Sequence, residues 1–184
     1  MPRTVVVTGG SRGIGFGIAT CFARLGDRLV IADVDEAAAQ KAASELDRLG
    51  ANGSFGLRCD VAKREDADRL VSETVARAGR LDVLVNNAGI CPFQEVMAMS
   101  EETWRRTIDI NCTGAFLCTQ AAARHMIARG GGGRVVFITS LAENVTGPQQ
   151  VDYGASKAGM RMTMVGFATA LGQYGITWNA VPPG

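Results

Sequence analysis

Thr4-Val5-Val6-Val7-Thr8-Gly9-Gly10-Ser11-Arg12-Gly13-Ile14-Gly15 decides the reading of this chain. Its first five residues form a β-branched run, the pattern of a strand buried on both faces of a parallel sheet. Spaced glycines follow, then apolar residues at helical intervals, Ile18, Phe22 and Leu25. A strand feeding a glycine turn that opens a helix is a design for binding phosphate. Without Cβ atoms the backbone can come close to an anion, and the free N–H groups of the helix start attract negative charge. The competing reading, an ordinary tight turn, explains neither the spacing nor the flanking elements. The spacing is T-G-x-x-x-G-x-G, not the commoner G-x-G-x-x-G dinucleotide fingerprint.

The alternation of strand and helix continues outward from there. A second strand over 28–32 ends at Asp33, eighteen residues after Gly15. An acidic residue near that distance, at a strand end, suits a ribose 2′-hydroxyl and repels a 2′-phosphate. Neighbouring Asp35 fits a helix N-cap better than Asp33 does. Arg12 pulls the other way: a guanidinium in the glycine loop suits a 2′-phosphate, or else lies in solvent. A helix is predicted over 37–49, a third strand over 54–59 ending in Asp60-Val61, and a helix running to Gly79. A fourth strand over 81–85 ends in Asn86-Asn87-Ala88-Gly89. Those amides sit where open α/β sheets bind ligands, although an Asx turn would also use them. Ser100 and an acidic first turn open a long helix over 101–129. Asn111 and Gly114 in its middle are poor helix formers and call for either a bend or an amide needed at that point. A fifth strand over 135–138 leads to Ser140. A helix then runs from Tyr153 to Gly172 or Gly175, and a sixth strand over 176–181 is stopped by Pro182-Pro183-Gly184. The pattern predicts an α/β fold: one domain over 1–184, a doubly wound parallel sheet in the order 3-2-1-4-5-6, and helices on both faces.

Composition narrows the function classes. Of 184 residues 47% are hydrophobic and 20% charged, ordinary for a globular protein, and the formal net charge is +1. With no basic run of five or more residues, neither a nucleic-acid nor a membrane surface is expected. No apolar run approaches the roughly 18 residues of a membrane span. Five scattered cysteines without C-x-x-C spacing argue against a disulfide framework and a zinc site, and point to a reducing, cytoplasmic setting. Met1-Pro2-Arg3 leads straight into the first strand, so no signal peptide is expected. His125, the sole histidine, lies late on the long helix with no cluster near it and reads as a surface residue. Histidine-based catalysis and metal binding are therefore not expected.

The chemistry is carried by Tyr153-Gly154-Ala155-Ser156-Lys157. On a helix, positions four apart share a face. Free tyrosine titrates near 10 and is a poor base at neutral pH, but a lysine beside it favours the phenolate. Such a pair can act as a general acid and base. A solvated helix face could show the same spacing, so the weight comes from the residues around it.

Taken together, Thr8-Gly9-x-x-x-Gly13-x-Gly15, Asn86-Asn87-Ala88-Gly89, Asn111, Ser140, Tyr153-x-x-x-Lys157 and Pro183-Gly184 resemble the classical short-chain dehydrogenase/reductase family, in order and over the whole chain. The resemblance implies that Gly9, Ser11, Gly13, Ile14 and Gly15, with Arg12 beside them, cradle a cofactor pyrophosphate. It implies that Asp33 binds the adenosine ribose, Asp60 and Val61 the adenine, and Asn87 and Gly89 the nearby ribose region. Pro183 and Gly184 fall among the family's cofactor contacts. Tyr153 would be the acid/base, Lys157 would support it and hold the nicotinamide ribose, and Ser140 would bind the substrate oxygen. Asn111 would hold a water linking Lys157 to solvent. NAD is the expected cofactor ahead of NADP, and a small alcohol or carbonyl compound the expected substrate. Family members are usually longer, so a lid over the substrate, a further helix and a seventh strand are expected to be missing from 1–184. The stretches 86–93 and 170–181 are similar both to sugar 1-dehydrogenases and to 3-oxoacyl-carrier-protein reductases, with a sugar or polyol favoured. A nucleotide-binding scaffold without turnover would have little reason to keep Asn111, Ser140, Tyr153 and Lys157 together. An epimerase of the extended branch would carry a different glycine spacing. Trp104, Met160, Met164 and Phe167 suggest apolar surface for a homodimer or homotetramer built through helices 101–129 and 153–173.

Overall fold

The computed structural model describes residues 2–184. Among the described residues six parallel strands form one sheet in the order β3-β2-β1-β4-β5-β6: β1 (Thr4–Thr8), β2 (Arg28–Asp33), β3 (Phe55–Arg58), β4 (Val83–Asn86), β5 (Gly133–Ile138) and β6 (Ile176–Val181). The order and the crossovers are those the sequence predicts. Because side chains alternate across a strand, β1 sends Val5 and Val7 to one core and Val6 to the other. Helices α1 (Gly13–Ala23) and α2 (Glu36–Arg48) cover the first core through Ala19, Ala39, Ala43 and Leu46. Helices α3 (Arg64–Ala78), α5 (Gly114–Arg129) and α6 (Val151–Leu171) cover the second through Leu70, Ala122, Met126 and Met160.

The helix ends follow the expected chemistry. The Asp35 side chain accepts from Ala38 N (3.0 Å) and caps α2, which leaves Asp33 free of that duty. Ser100 accepts from Thr103 N (3.1 Å) at the start of α4 (Glu101–Ile108). Gly79 closes α3 in the left-handed region.

Several expectations need correction. Leu25 lies beyond the end of α1 and is exposed. Residues 81–82 precede β4: buried Asp82 accepts from Thr4 N, Arg80 and Arg129. His125 is half-buried, not a surface residue, and burial lowers its pKa. The predicted helix 101–129 is interrupted by a π turn at Asp109–Thr113. Gly114, just past that turn, is required by packing, since a Cβ there would lie 2.7 Å from Val61 Cγ2. Both residues flagged in mid-helix are thereby accounted for. Met160, expected on an exposed apolar stripe, is fully buried in the chain's own core.

Candidate active site

The site lies along the C-terminal ends of the strands, where β1 and β4 part and the strand order reverses. The Thr8 hydroxyl closes the top of this crevice. It accepts from Asn87 N (3.0 Å) and Ala88 N (3.1 Å). Asn87 answers by donating from Nδ2 to the carbonyls of Thr8 and Gly9, each at 3.0 Å. The amide therefore clamps the glycine loop to β4. Asn86 does something different: its Nδ2 donates to Thr119 Oγ1 (2.8 Å) and ties β4 to α5. Within the loop Gly9 and Gly13 adopt φ of +60° and +56°, a region that L side chains enter only with strain. A Cβ on Gly15 would lie 2.3 Å from the Gly9 carbonyl oxygen. Helix α1 begins there with no side-chain cap among the described residues, an arrangement that leaves a helix's first N–H groups available to an anion.

A groove of about 920 Å³ runs from this loop over the ends of β2 and β3. Gly9, Arg12, Asp33, Asp60, Val61, Asn87 and Gly89 all line it. Asp33 accepts from Ser11 Oγ (2.5 Å), which orients its carboxylate beside the loop. The ends of β2 and β3 are stitched together by Cys59 N donating to the Asp33 carbonyl (2.8 Å). Asp60 N in turn donates to Asp66 Oδ2 (2.8 Å). Burial disfavours the Asp66 carboxylate, but that N–H and Arg69 hold its pKa below the usual value. On the opposite wall stand Arg106 and Ile110, which sequence reasoning did not single out.

A second compartment of about 260 Å³ joins the first through Arg12, Asn87, Gly89 and Ile90. Ile14, Gly15, Ser140, Tyr153, Lys157 and Pro183 line it. Tyr153 and Lys157 lie one turn apart on α6, with Lys157 Nζ 5.6 Å from the tyrosine ring centre. Lys157 is nearly buried, and its ammonium donates to the Ile138 carbonyl (2.8 Å). Burial pushes its pKa down to about 8, with the nearby Cys91 opposing the shift. The Ser140 hydroxyl accepts from Ala142 N (3.2 Å), which fixes it at the mouth of the pocket.

Four expected residues stand outside the lining of either compartment. Ser11 acts through Asp33, and Gly13 opens α1. Gly184 packs where a Cβ would lie 3.1 Å from Leu141 Cδ1. Asn111 is buried behind Lys157; its Oδ1 accepts from Ile90 N (2.8 Å), and its Nδ2 donates to Ile90 O (2.8 Å) and Ser156 Oγ (2.9 Å). Its side chain is thus occupied in holding the strand-end loop. Sequence reasoning missed Thr139, whose buried hydroxyl lines the pocket without a partner among the described residues, and the carbonyl of Ile138. A hydrophobic strand end gives no signal that one of its carbonyls will hold an ammonium. Among the described residues no helix is long and apolar enough to cross a membrane. None of them form a cluster of three or more His, Cys, Asp or Glu able to hold a metal ion.

Residues 3–184 match the short chain dehydrogenase family. The chain is 41% identical to an L-rhamnose 1-dehydrogenase (NAD(P)(+)) of Azotobacter vinelandii, over 99% of this chain and 72% of that one. It is 40% identical to the 3-oxoacyl-(acyl-carrier-protein) reductase FabG of Chlamydia muridarum, over 99% and 73%. The crystal structure of a short-chain type dehydrogenase/reductase from Mycobacterium marinum superposes with a TM-score of 0.94 at 33% identity, covering 99% of this chain and 74% of that one. The chain belongs to the short-chain dehydrogenase family, a family of oxidoreductases.

Proposed function

We propose that this chain oxidises a CH–OH carbon of a sugar or polyol by hydride transfer to NAD, with Tyr153 as the general base. The observation that carries the reading is the convergence of Ser140, Tyr153 and Lys157 on one pocket that opens into the groove lined by Gly9, Asp33 and Asp60. The groove suits such a cofactor: Gly9 leaves no Cβ in the way, α1 starts uncapped at the glycine loop, and Asp33 offers a carboxylate for a ribose hydroxyl. When bound, the nicotinamide supplies the hydride acceptor. Ser140 holds the reacting oxygen at the pocket mouth. Tyr153 takes the hydroxyl proton as hydride leaves. Lys157, mostly a cation at neutral pH, stands 5.6 Å from the centre of the Tyr153 ring and is itself held by the Ile138 carbonyl. In the reverse direction the same phenol donates to a carbonyl.

The sugar assignment draws on the rhamnose dehydrogenases and on a 38% identical L-fucose dehydrogenase of Bos taurus, whose sequence this chain covers to 65%. The test is a panel of L-rhamnose, L-fucose, other sugars, polyols, secondary alcohols and a 3-oxoacyl thioester, each with either nicotinamide cofactor. Faster turnover of the thioester with NADPH than of any sugar would transfer the chain to the reductase reading.

Cofactor preference follows from Asp33. Its carboxylate beside a 2′-phosphate sets like charges a few ångströms apart, a cost on the order of 1–4 kcal/mol near a protein surface. Arg12 offsets part of this. Fluorescence titration is expected to show tighter binding of NAD than of NADP, and Asp33→Ala to weaken NAD and narrow the gap. Tighter NADP binding by the unmodified chain would remove Asp33 from the ribose.

We also infer that a second copy of the chain covers the outer face of α5 and α6. Phe116 on α5 and Met162 and Val165 on α6 are exposed, and an apolar groove of about 540 Å³ lies between the two helices. A Cβ at Gly166 in that groove would meet open space, so Gly166→Trp fits the single chain but blocks a partner. Sedimentation at micromolar concentration should show an oligomer, and a monomer for the variant. A monomeric unmodified chain would overturn this.

A further inference from the structure

Two buried polar rungs connect the α4 side of the molecule to α6, and they keep a common register. The Thr107 hydroxyl meets Asp152 Oδ2 at 2.6 Å, and Asn111 Nδ2 donates to Ser156 Oγ at 2.9 Å. All four residues are fully buried. Thr107 and Asn111 are four apart, as are Asp152 and Ser156, so the rungs lie one turn from each other on both elements. Each α6 member comes immediately before a residue of the proposed acid/base pair: Asp152 before Tyr153, Ser156 before Lys157. The second rung continues into the backbone, since the Ser156 hydroxyl donates to the Tyr153 carbonyl (2.7 Å).

The first rung is the unexpected one. It places a carboxyl group in the protein interior, and Asp152 Oδ1 meets no donor among the described residues. A position serving packing alone would be filled more cheaply by an apolar side chain. It also stands in the first turn of the helix. Helix α6 follows the exposed loop 144–149, and Gln150 at its start gives no side-chain cap among the described residues. An uncapped first turn frays, and Tyr153 sits in that turn.

We propose that Asp152, through Thr107, is a positioning residue that holds the first turn of α6 and thereby fixes the Tyr153 hydroxyl against Ser140. This rests on Tyr153 being the general base. Asp152 acts on the reacting end, because no residue of α6 lines the groove that holds Asp33 and Asp60, whereas α4, which carries Thr107, lines it through Arg105 and Arg106. Its loss should therefore appear in kcat and not in cofactor affinity.

The experiment compares Asp152→Ala, Asp152→Asn, Thr107→Val and the double variant Thr107→Val/Asp152→Ala, with Tyr153→Phe measured alongside in the full chain. Asp152→Ala should lower kcat at least about 10-fold with the NAD dissociation constant changed less than about 2-fold. Asp152→Asn keeps an acceptor for Thr107 and should restore most of the rate. Thr107→Val should resemble Asp152→Ala, and the double variant should be no slower than the slower single one. Amide hydrogen exchange over 151–156 should speed up in Asp152→Ala and not in Asp152→Asn, a readout independent of turnover. Unchanged kcat and exchange in Asp152→Ala would overturn the proposal, and so would an Asp152→Asn variant as impaired as Asp152→Ala. If Tyr153→Phe turns over normally, the general-base reading fails instead; if Tyr153→Phe is inactive and Asp152→Ala normal, only the positioning role fails.

Discussion

Tyr153→Phe is expected to lower kcat by at least about 10²-fold at saturating substrate and cofactor, with cofactor binding nearly intact. The substitution keeps the ring and its packing and removes one oxygen. In the pocket shared by Ser140, Tyr153 and Lys157, that oxygen is the proton acceptor the proposed reaction needs. Ser140 cannot replace it, because its hydroxyl has no adjacent base among the described residues and is engaged with Ala142 N. Lys157 cannot replace it either, because at neutral pH it is mostly the ammonium, which has donors and no lone pair to take a proton. Ser140→Ala should cost less, since one hydrogen bond to the reacting oxygen is lost while proton transfer survives. Steady-state rates paired with NAD titration check both statements. Near-normal turnover by Tyr153→Phe would end the general-base assignment.

Lys157→Met should abolish turnover and yet stabilise the fold at neutral pH. The lysine is 3% exposed, and burial lowers its pKa from 10.5 to about 8. Between those two values the unfolded chain binds more protons than the folded one, so this group's contribution to stability rises with pH across that window. Below pH 8 both states carry the charge, and the folded state bears the whole penalty of burying it, about 3 kcal/mol. Methionine removes that penalty but leaves the Ile138 carbonyl without its donor, at a cost of about 1–3 kcal/mol. The net expectation is a gain of about 1 kcal/mol at pH 6.5, or a few degrees in Tm. The gain should shrink above pH 8, vanish within about one pH unit and be a loss by pH 10, where the neutral lysine still bonds the carbonyl. Thermal or urea melts at pH 6.5 and 10 measure the reversal. Equal destabilisation at both would show that the buried charge carries no such cost. The residue is then one that activity retains against stability.

Much of this was legible in the sequence. Strand, turn and helix at 4–15 follow from local chemistry: β-branched residues, glycines where backbone must pass close, and a helical period. The strand order follows from the handedness of crossovers once the alternation is seen. The pairing of Tyr153 with Lys157 needs only the helical repeat. What could not be read depends on contacts between distant segments. Asn86 and Asn87 are adjacent and identical, yet one ties down α5 and the other clamps the glycine loop, a difference set by which side of β4 each faces. Gly114 looks like a flaw in a helix until Val61, more than fifty residues earlier, is seen to press against it. Met160 belongs to the period of an exposed stripe, and the sheet beneath α6 takes it inward. The rung from Thr107 to Asp152 left no trace at all, since neither residue is unusual for a helix.

The contact between Gly114 and Val61 has a consequence for where α5 can sit. Val61 forms part of the wall where an adenine would rest, and two residues beyond Gly114 the ring of Phe116 looks out from the opposite side of α5. Close-packed interiors have little slack. With room for no further carbon between them, α5 cannot settle closer to the sheet at Gly114 without displacing Val61, so the height of the helix and the shape of that wall are set together.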